Sequence, residues 1–347
     1  MPASYLAAFT NNRKRNGSLW VYDRAGGMQP KYLRPDSIAL EKDLYIRDVG
    51  QGPNDSIERF FADSIEGPFA AIRNRLVYGS KVGLIPSVGA LNPEERTLVA
   101  RFLAFQLLRT PVERDAMRWL GEISSQILVR ENFEVGGAFR QDLEQEVGRS
   151  LNSQEVASFS EAILGLPRLQ GAREDWLPRA LRNAERFAPF IGSLEWRLVK
   201  VPGSVELVTC DMPLVCVRRG AEPGSFELGG AIAEPDFEAT LTLSPSYVLY
   251  VTSQVQDEGF LHTEVFAKSV LRRTIAYAQR WVFARSDDER IDLALKASPT
   301  PGYHIEFNGR AFPVGYPVKE LDREVRDSGV STVQFRYGVP RNPQGYR

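Results

Sequence analysis

The run Val205–Val217, VELVTCDMPLVCV, constrains this chain more than any other stretch. It is apolar enough for one buried β-strand, yet Asp211 and Pro213 interrupt it. Proline removes a ladder donor, so it is confined to strand ends, edges and bulges. The run is therefore predicted to split into strands at Val205–Cys210 and Leu214–Arg218, leaving Asp211 at the corner between them. Strands also flank this corner, in SLEWRLVK before it and in ATLTLSPSYVLYVT around Ser244-Pro245. Consecutive strands without intervening helices argue for an antiparallel or mixed sheet and against a doubly wound one.

The preceding region has a different period. Residues 55–192 read as almost wholly helical, beginning at an N-cap expected at Asp55, with Glu58 three residues on and Pro68 as a kink. NPEERTLVARFLAFQLLRT places Asn92 at the cap, Pro93 at the first helical position and Glu95 at the third, and Thr110, Pro111 and Glu113 repeat the device. The joint Arg109-Thr110-Pro111 should form a sharp corner that holds Arg109 near Arg114. Before these helices, residues 1–50 read as strands and loops, with SLWVYD as a hairpin arm. After the β region (194–252), TEVFAKSVLRRTIAYAQRWVFAR reads as a long helix over 262–285 that covers the sheet, within a helical segment extending to 296. The tail 301–347, rich in Gly, Pro and Arg, reads as irregular. The expected organisation is one composite α+β domain over 1–300.

Charge excludes whole classes of partner. The 43 basic and 44 acidic residues nearly cancel, so no global field recruits nucleic acid or anionic membrane, and any phosphate contact must be local. No segment reaches the length of a membrane span and no secretory leader is evident, so a cytoplasmic location is expected. Cys210 and Cys216 are too few for a disulfide framework and read as small buried hydrophobes. His262 and His304 fit no catalytic pattern, and the phosphate-loop, dinucleotide, zinc-protease and serine-elbow motifs are all missing.

Several short patterns occur in a telling order: MPASYLAAFT, GSLWVYDR, LEKDLYIRD, SIERFFADSIEGPFAAI, FLAFQLLRTPVER, VTCDMPLV, LTLSPSYVLY and RTIAYAQRWVFAR. Together, from Met1 to about Arg285, the chain resembles domain-of-unknown-function family 4238, a mostly bacterial group. The resemblance implies no established activity. Members usually carry a His-His pair and an aromatic residue ahead of the proline matching Pro2, whereas this sequence starts at Met1. They also usually carry an asparagine close to the position of Arg272 and Arg273.

Three polar features are candidates for a site. Asp211 matches the family's Asp-x-Pro, Arg109 and Arg114 flank the helix corner, and Glu58 and Glu66 lie two helical turns apart. A carboxylate with a second acid and nearby arginines suits a divalent cation such as magnesium and a phosphate, the needs of metal-assisted phosphodiester cleavage. On this reading the chain is a metal-dependent hydrolase or phosphodiesterase, such as a nuclease of a toxin or defence system, with Asp211 as catalytic residue and metal ligand, Glu66 or Glu58 as its catalytic partner, and Arg109 and Arg114 on the substrate. The alternative is a non-catalytic binding or regulatory protein in which the same residues are structural: Asp211 bonding backbone amides, Arg109 paired with a carboxylate, Glu58 completing a cap. A small-molecule or nucleotide sensor is a third reading, and aromatic-rich helices such as Phe102–Phe105 suit either a core or a homo-oligomer face.

Overall fold

Pro213 divides its apolar run as its chemistry dictates, and the two pieces go to different sheets. Thr209–Cys210 is the last strand of a four-stranded sheet in the order Lys31–Leu33, Leu19–Asp23, Trp281–Ala284, Thr209–Cys210. Leu214–Arg219 belongs instead to a five-stranded sheet in the order Glu195–Lys200, Tyr247–Thr252, Phe237–Ser244, Leu214–Arg219, Phe226–Leu228. All strand pairs in both sheets are antiparallel. Val205–Val208, expected in the ladder, lies outside it, with Val205, Leu207 and Val208 buried and Glu206 exposed. The structure, a computed structural model, describes residues 2–25, 29–38, 47–48, 53–54, 56–79, 89, 91–134, 136–164, 176–254, 256–330 and 332–340.

The architecture is a mixture of helix and sheet that divides into two compact units. The first comprises Met1–Thr110, Leu181–Gly302 and Tyr337–Val339; the second comprises Pro111–Ala180, Tyr303–Arg336 and Pro340–Arg347. The expected helical half, 55–192, is thus shared between them. Arg109 lies in the first unit and Arg114 in the second.

In the first unit, helix Glu264–Tyr277 lays Phe266, Ala267 and Val270 against Val199, Val248 and Tyr250 of the five-stranded sheet. The Tyr5 hydroxyl joins the two sheets, donating to the Thr242 carbonyl at 2.6 Å and lying 3.0 Å from Thr209 Oγ1. Helix Pro93–Leu108 has the expected capping box, with Asn92 and Glu95 each accepting the other's backbone N–H. Its Phe102 stacks on Phe69 of helix Gly67–Tyr78 at 3.6 Å. The irregularity expected at Pro68 is a π-helical turn, Phe61–Glu66, immediately before it. That turn accommodates a proline unable to donate to the preceding turn. Asp55 lies outside the described residues.

Two expectations are corrected. The long helix over 262–285 ends at Tyr277, and Trp281–Ala284 is a strand paired on one side with Leu19–Asp23 and on the other with Thr209–Cys210. Bulky Trp281, Val282 and Phe283 favour a buried strand once partners exist on both sides, and residues 289–297 form a separate helix. The tail expected to be irregular carries regular elements between Gly302 and Gly338. Gly302–Phe307 and Arg310–Pro313 form a hairpin closed by Asn308-Gly309, both at positive φ, the turn that this dipeptide favours. Gln334–Gly338 flanks the hairpin, and helix Val318–Ser328 supplies Leu321 to a core of Trp119, Ile305, Phe307 and Phe312 in the second unit. No helix among the described residues is long and apolar enough to cross a membrane.

Candidate functional site

The Asp211 corner is defined by backbone donors. Its carboxylate accepts the N–H of Gln279 at 2.9 Å on one oxygen, and those of Arg280 at 2.8 Å and Trp281 at 3.3 Å on the other. Its own N–H donates to the Trp281 carbonyl at 3.0 Å. These donors lie between the end of helix Glu264–Tyr277 and strand Trp281–Ala284, so Asp211 holds the turn that stops the helix and starts the strand. Burial pushes its pKa up, and the Arg280, Gln279 and Trp281 amides oppose that rise. Cys210 beside it is buried, its Sγ donating to the Met212 carbonyl, and burial raises the thiol well above its ordinary range. Cys216 is likewise buried, its thiol pushed up to about 12.

The other candidates do not gather around this corner into an evident donor set. Glu66 pairs with Arg109, whose guanidinium lies 4.3 Å from the centroid of the Phe61 ring. Glu58 is exposed. Arg114 pairs with Asp115 at 2.8 Å. A divalent cation fits poorly here, because both Asp211 oxygens already accept amide protons and Glu66 is matched by a guanidinium. Among the described residues no group of three His, Cys, Asp or Glu side chains could hold a metal ion. His304 is buried and His262 exposed.

A second polar cluster escaped the sequence reading. Glu238, on strand Phe237–Ser244, accepts from Arg219 Nε at 2.8 Å, from the Tyr250 hydroxyl at 2.7 Å and from Arg273 Nη1 at 2.9 Å. Arg273 is only 2% exposed. Burial pushes the Glu238 pKa up, but the Arg273 charge and the bonds from Tyr250, Arg219 and Arg273 outweigh it, leaving the carboxyl below its ordinary range. The sequence carried a signal. Phe266, Val270, Arg273 and Tyr277 recur at the spacing of one helical face, which puts an arginine on an apolar stripe. A guanidinium there demands a buried carboxylate, and the alternation Glu238-Ala239-Thr240-Leu241-Thr242 supplies one. This is the neighbourhood where the resemblance implied an asparagine, and Arg272 beside it reaches the Gly224 carbonyl at 3.3 Å.

No curated protein and no solved structure matches the chain. Residues 1–288 match the family described as protein of unknown function DUF4238, a span that takes in the Asp211 corner, the Glu66–Arg109 pair and the Glu238 cluster. The chain belongs to that family.

Proposed function

We propose that this chain is a non-catalytic binding or regulatory protein in which the Asp211-Met212-Pro213 corner is a structural clamp. The observation that carries the reading is the occupancy of the Asp211 carboxylate by three consecutive main-chain N–H groups, of residues 279–281. A carboxylate engaged on both oxygens by main-chain donors fixes a backbone turn, whereas a catalytic or metal-ligating one directs its free lone pairs at substrate or cation. The pairing of Glu66 with Arg109 over Phe61 supports the same reading, since each group is already neutralised by the other.

The competing reading, a metal-dependent hydrolase or phosphodiesterase, makes an opposite forecast for one substitution. Asp211→Asn keeps one acceptor oxygen but turns an NH2 group toward amide donors. For a clamp, we expect a loss of about 1–3 kcal/mol of stability, the usual cost of breaking a buried polar contact. Thermal melting of the full chain should show that loss, and neither wild type nor variant should turn over bis(p-nitrophenyl) phosphate, single-stranded DNA or RNA with magnesium or manganese. Magnesium-dependent turnover by wild type, abolished in an Asp211→Asn protein that melts at the same temperature, would overturn the reading.

A further inference from the structure

The loop that leads into strand Leu19–Asp23 carries Arg13, Lys14 and Arg15 on an exposed tip held from beneath. Thr10 at its base is fully buried; its Oγ1 donates to the Ala7 carbonyl at 2.8 Å and accepts the Lys14 N–H at 3.1 Å. Asn12 Oδ1 accepts the same N–H at 2.9 Å, and Asn11 Oδ1 accepts that of Ser18 at 3.2 Å. Gly17 closes the loop where a Cβ would fall 2.1 Å from Asn12 Oδ1. Arg13 stands at φ +60°, in the left-handed region that residues other than glycine seldom occupy. Such a conformation persists only where its surroundings enforce it, so the backbone presents three consecutive cations from a preset position.

These cations are poorly neutralised. Arg15 reaches Asp36 only at 3.9 Å and Arg34 reaches the same carboxylate at 4.0 Å, all three side chains being exposed. A shared ion pair of that length in water offsets little charge. Lys14 has no acidic partner among the described residues. Arg13 meets a ring instead of an acid: its guanidinium lies 5.1 Å from the centroid of Tyr78, which ends helix Gly67–Tyr78 and is 38% exposed. On the other side, Arg34 stands two residues from Tyr32, 45% exposed, whose ring lies 5.4 Å from that of Trp20. Contacts and chain continuity therefore string four cations between two exposed tyrosines, all within the first unit.

We propose that this track binds single-stranded nucleic acid, with the cations on backbone phosphates and Tyr32 and Tyr78 stacking on bases. Charge alone would suit any anionic surface, but exposed rings at both ends of a basic track match a strand whose base faces are free to stack. A duplex covers those faces, and an anionic bilayer has none. The near-zero net charge of the chain gives no long-range attraction, so binding rests on this patch alone. The preset loop lowers the ordering cost that binding incurs. The track shares no residue with the Asp211 corner, so its binding stands or falls separately from the turnover and melting that judge the clamp.

The probes are fluorescein-labelled oligouridylate and oligothymidylate of about fifteen nucleotides, titrated by anisotropy against the full chain at about 50–200 mM salt. Wild type should bind at least one of them, with log K falling against log salt at a slope of about −2 to −3, the value for about three or four phosphates neutralised on a single strand. The triple variant Lys14→Gln, Arg15→Gln, Arg34→Gln should weaken binding at least about tenfold and flatten that slope. Tyr32→Ala and Tyr78→Ala should each weaken it at least about fivefold at unchanged slope, and a duplex of equal length should bind more weakly than the single strand. All five positions are exposed, so the variants should melt with wild type. If a variant does not fold, the wild-type salt slope and the preference for single strand over duplex decide. Absence of binding to both probes at about 50 mM salt, equal binding of the duplex, or binding untouched by the triple variant or by both tyrosine variants overturns the proposal. Sedimentation with phosphatidylserine vesicles in place of oligonucleotide binding would make the track a membrane patch and end it.

Discussion

Asp211, half-buried, and Glu238, buried, lie in the same unit, but the regions around them hold the charge differently. Asp211 is met by three neutral amides, Glu238 by two guanidinia and a phenol. Their pKa values move in opposite directions: burial prevails at Asp211, whereas at Glu238 the effect of burial is outweighed by Arg273, Tyr250 and Arg219. Amide dipoles solvate a carboxylate without cancelling its charge, whereas an arginine does both. The corner consequently positions backbone, and the cluster ties helix Glu264–Tyr277 to the sheet beneath it.

The largest expected effect tests the cluster. Glu238→Gln leaves Arg273 buried without a counter-charge, and breaking a buried pair in this way costs about 3–5 kcal/mol. Urea denaturation should show that loss at neutral pH. Because the Glu238 carboxyl is held low, its contribution is present above the ordinary carboxylate range and lost as pH falls through its folded value, so the variant should also lose part of the acid limb. A loss below about 3 kcal/mol would break the comparison, since it would put the arginines on the same footing as the amides of Asp211.

The next effect extends the contrast to a second carboxyl at which burial prevails. Glu113 in the second unit is 4% exposed; burial pushes its pKa from 4.5 up to about 7, against a hydrogen bond from Tyr303. Its contribution is complete below the unfolded value and lost as pH rises through the folded one, so stability should fall between those pH values. The full difference is about 3 kcal/mol. Glu113→Gln should flatten that slope and leave the variant more stable than wild type at pH 8, as read from denaturation curves at several pH values.

Asp211→Asn comes third, at about 1–3 kcal/mol. Its sharper readout is directional: with a raised pKa, Asp211 also contributes most below its unfolded value, so its pH slope should oppose that of Glu238. The smallest effect belongs to the same task performed in water. Asn92 accepts a single N–H, that of Glu95, at an exposed helix end, and Asn92→Ala should cost about 1 kcal/mol. A cost equal to that of Asp211→Asn would mean that burial adds nothing to amide capture.

Features set by nearest neighbours were legible in the sequence. The Asn92 cap, the breaks at Pro68 and Pro213 and the hairpin around Ser244-Pro245 each depend on residues a few positions apart. Features decided by distant partners were not. Trp281–Ala284 continues the apolar spacing of the helix before it, and only strands near residues 20 and 210 make it a strand. Glu238 alternates like a residue on a solvent face until Arg273, on a covering helix, closes over it. Asp211 was correctly placed at a corner, but its three donors lie some seventy residues later. In the tail the reason is local: Asn308-Gly309 is a hairpin signal, and the Gly and Pro content around it obscures that signal.

The central pairing of the four-stranded sheet joins Trp20 to Ala284 and Tyr22 to Val282. On a ribosome adding about 5–20 residues per second, the first of these strands waits on the order of tens of seconds for the second to be synthesised. Throughout that interval Leu19, Val21 and Tyr22, buried in the finished protein, have no native cover on that edge. The nascent chain therefore spends most of its synthesis presenting an unpaired apolar strand edge.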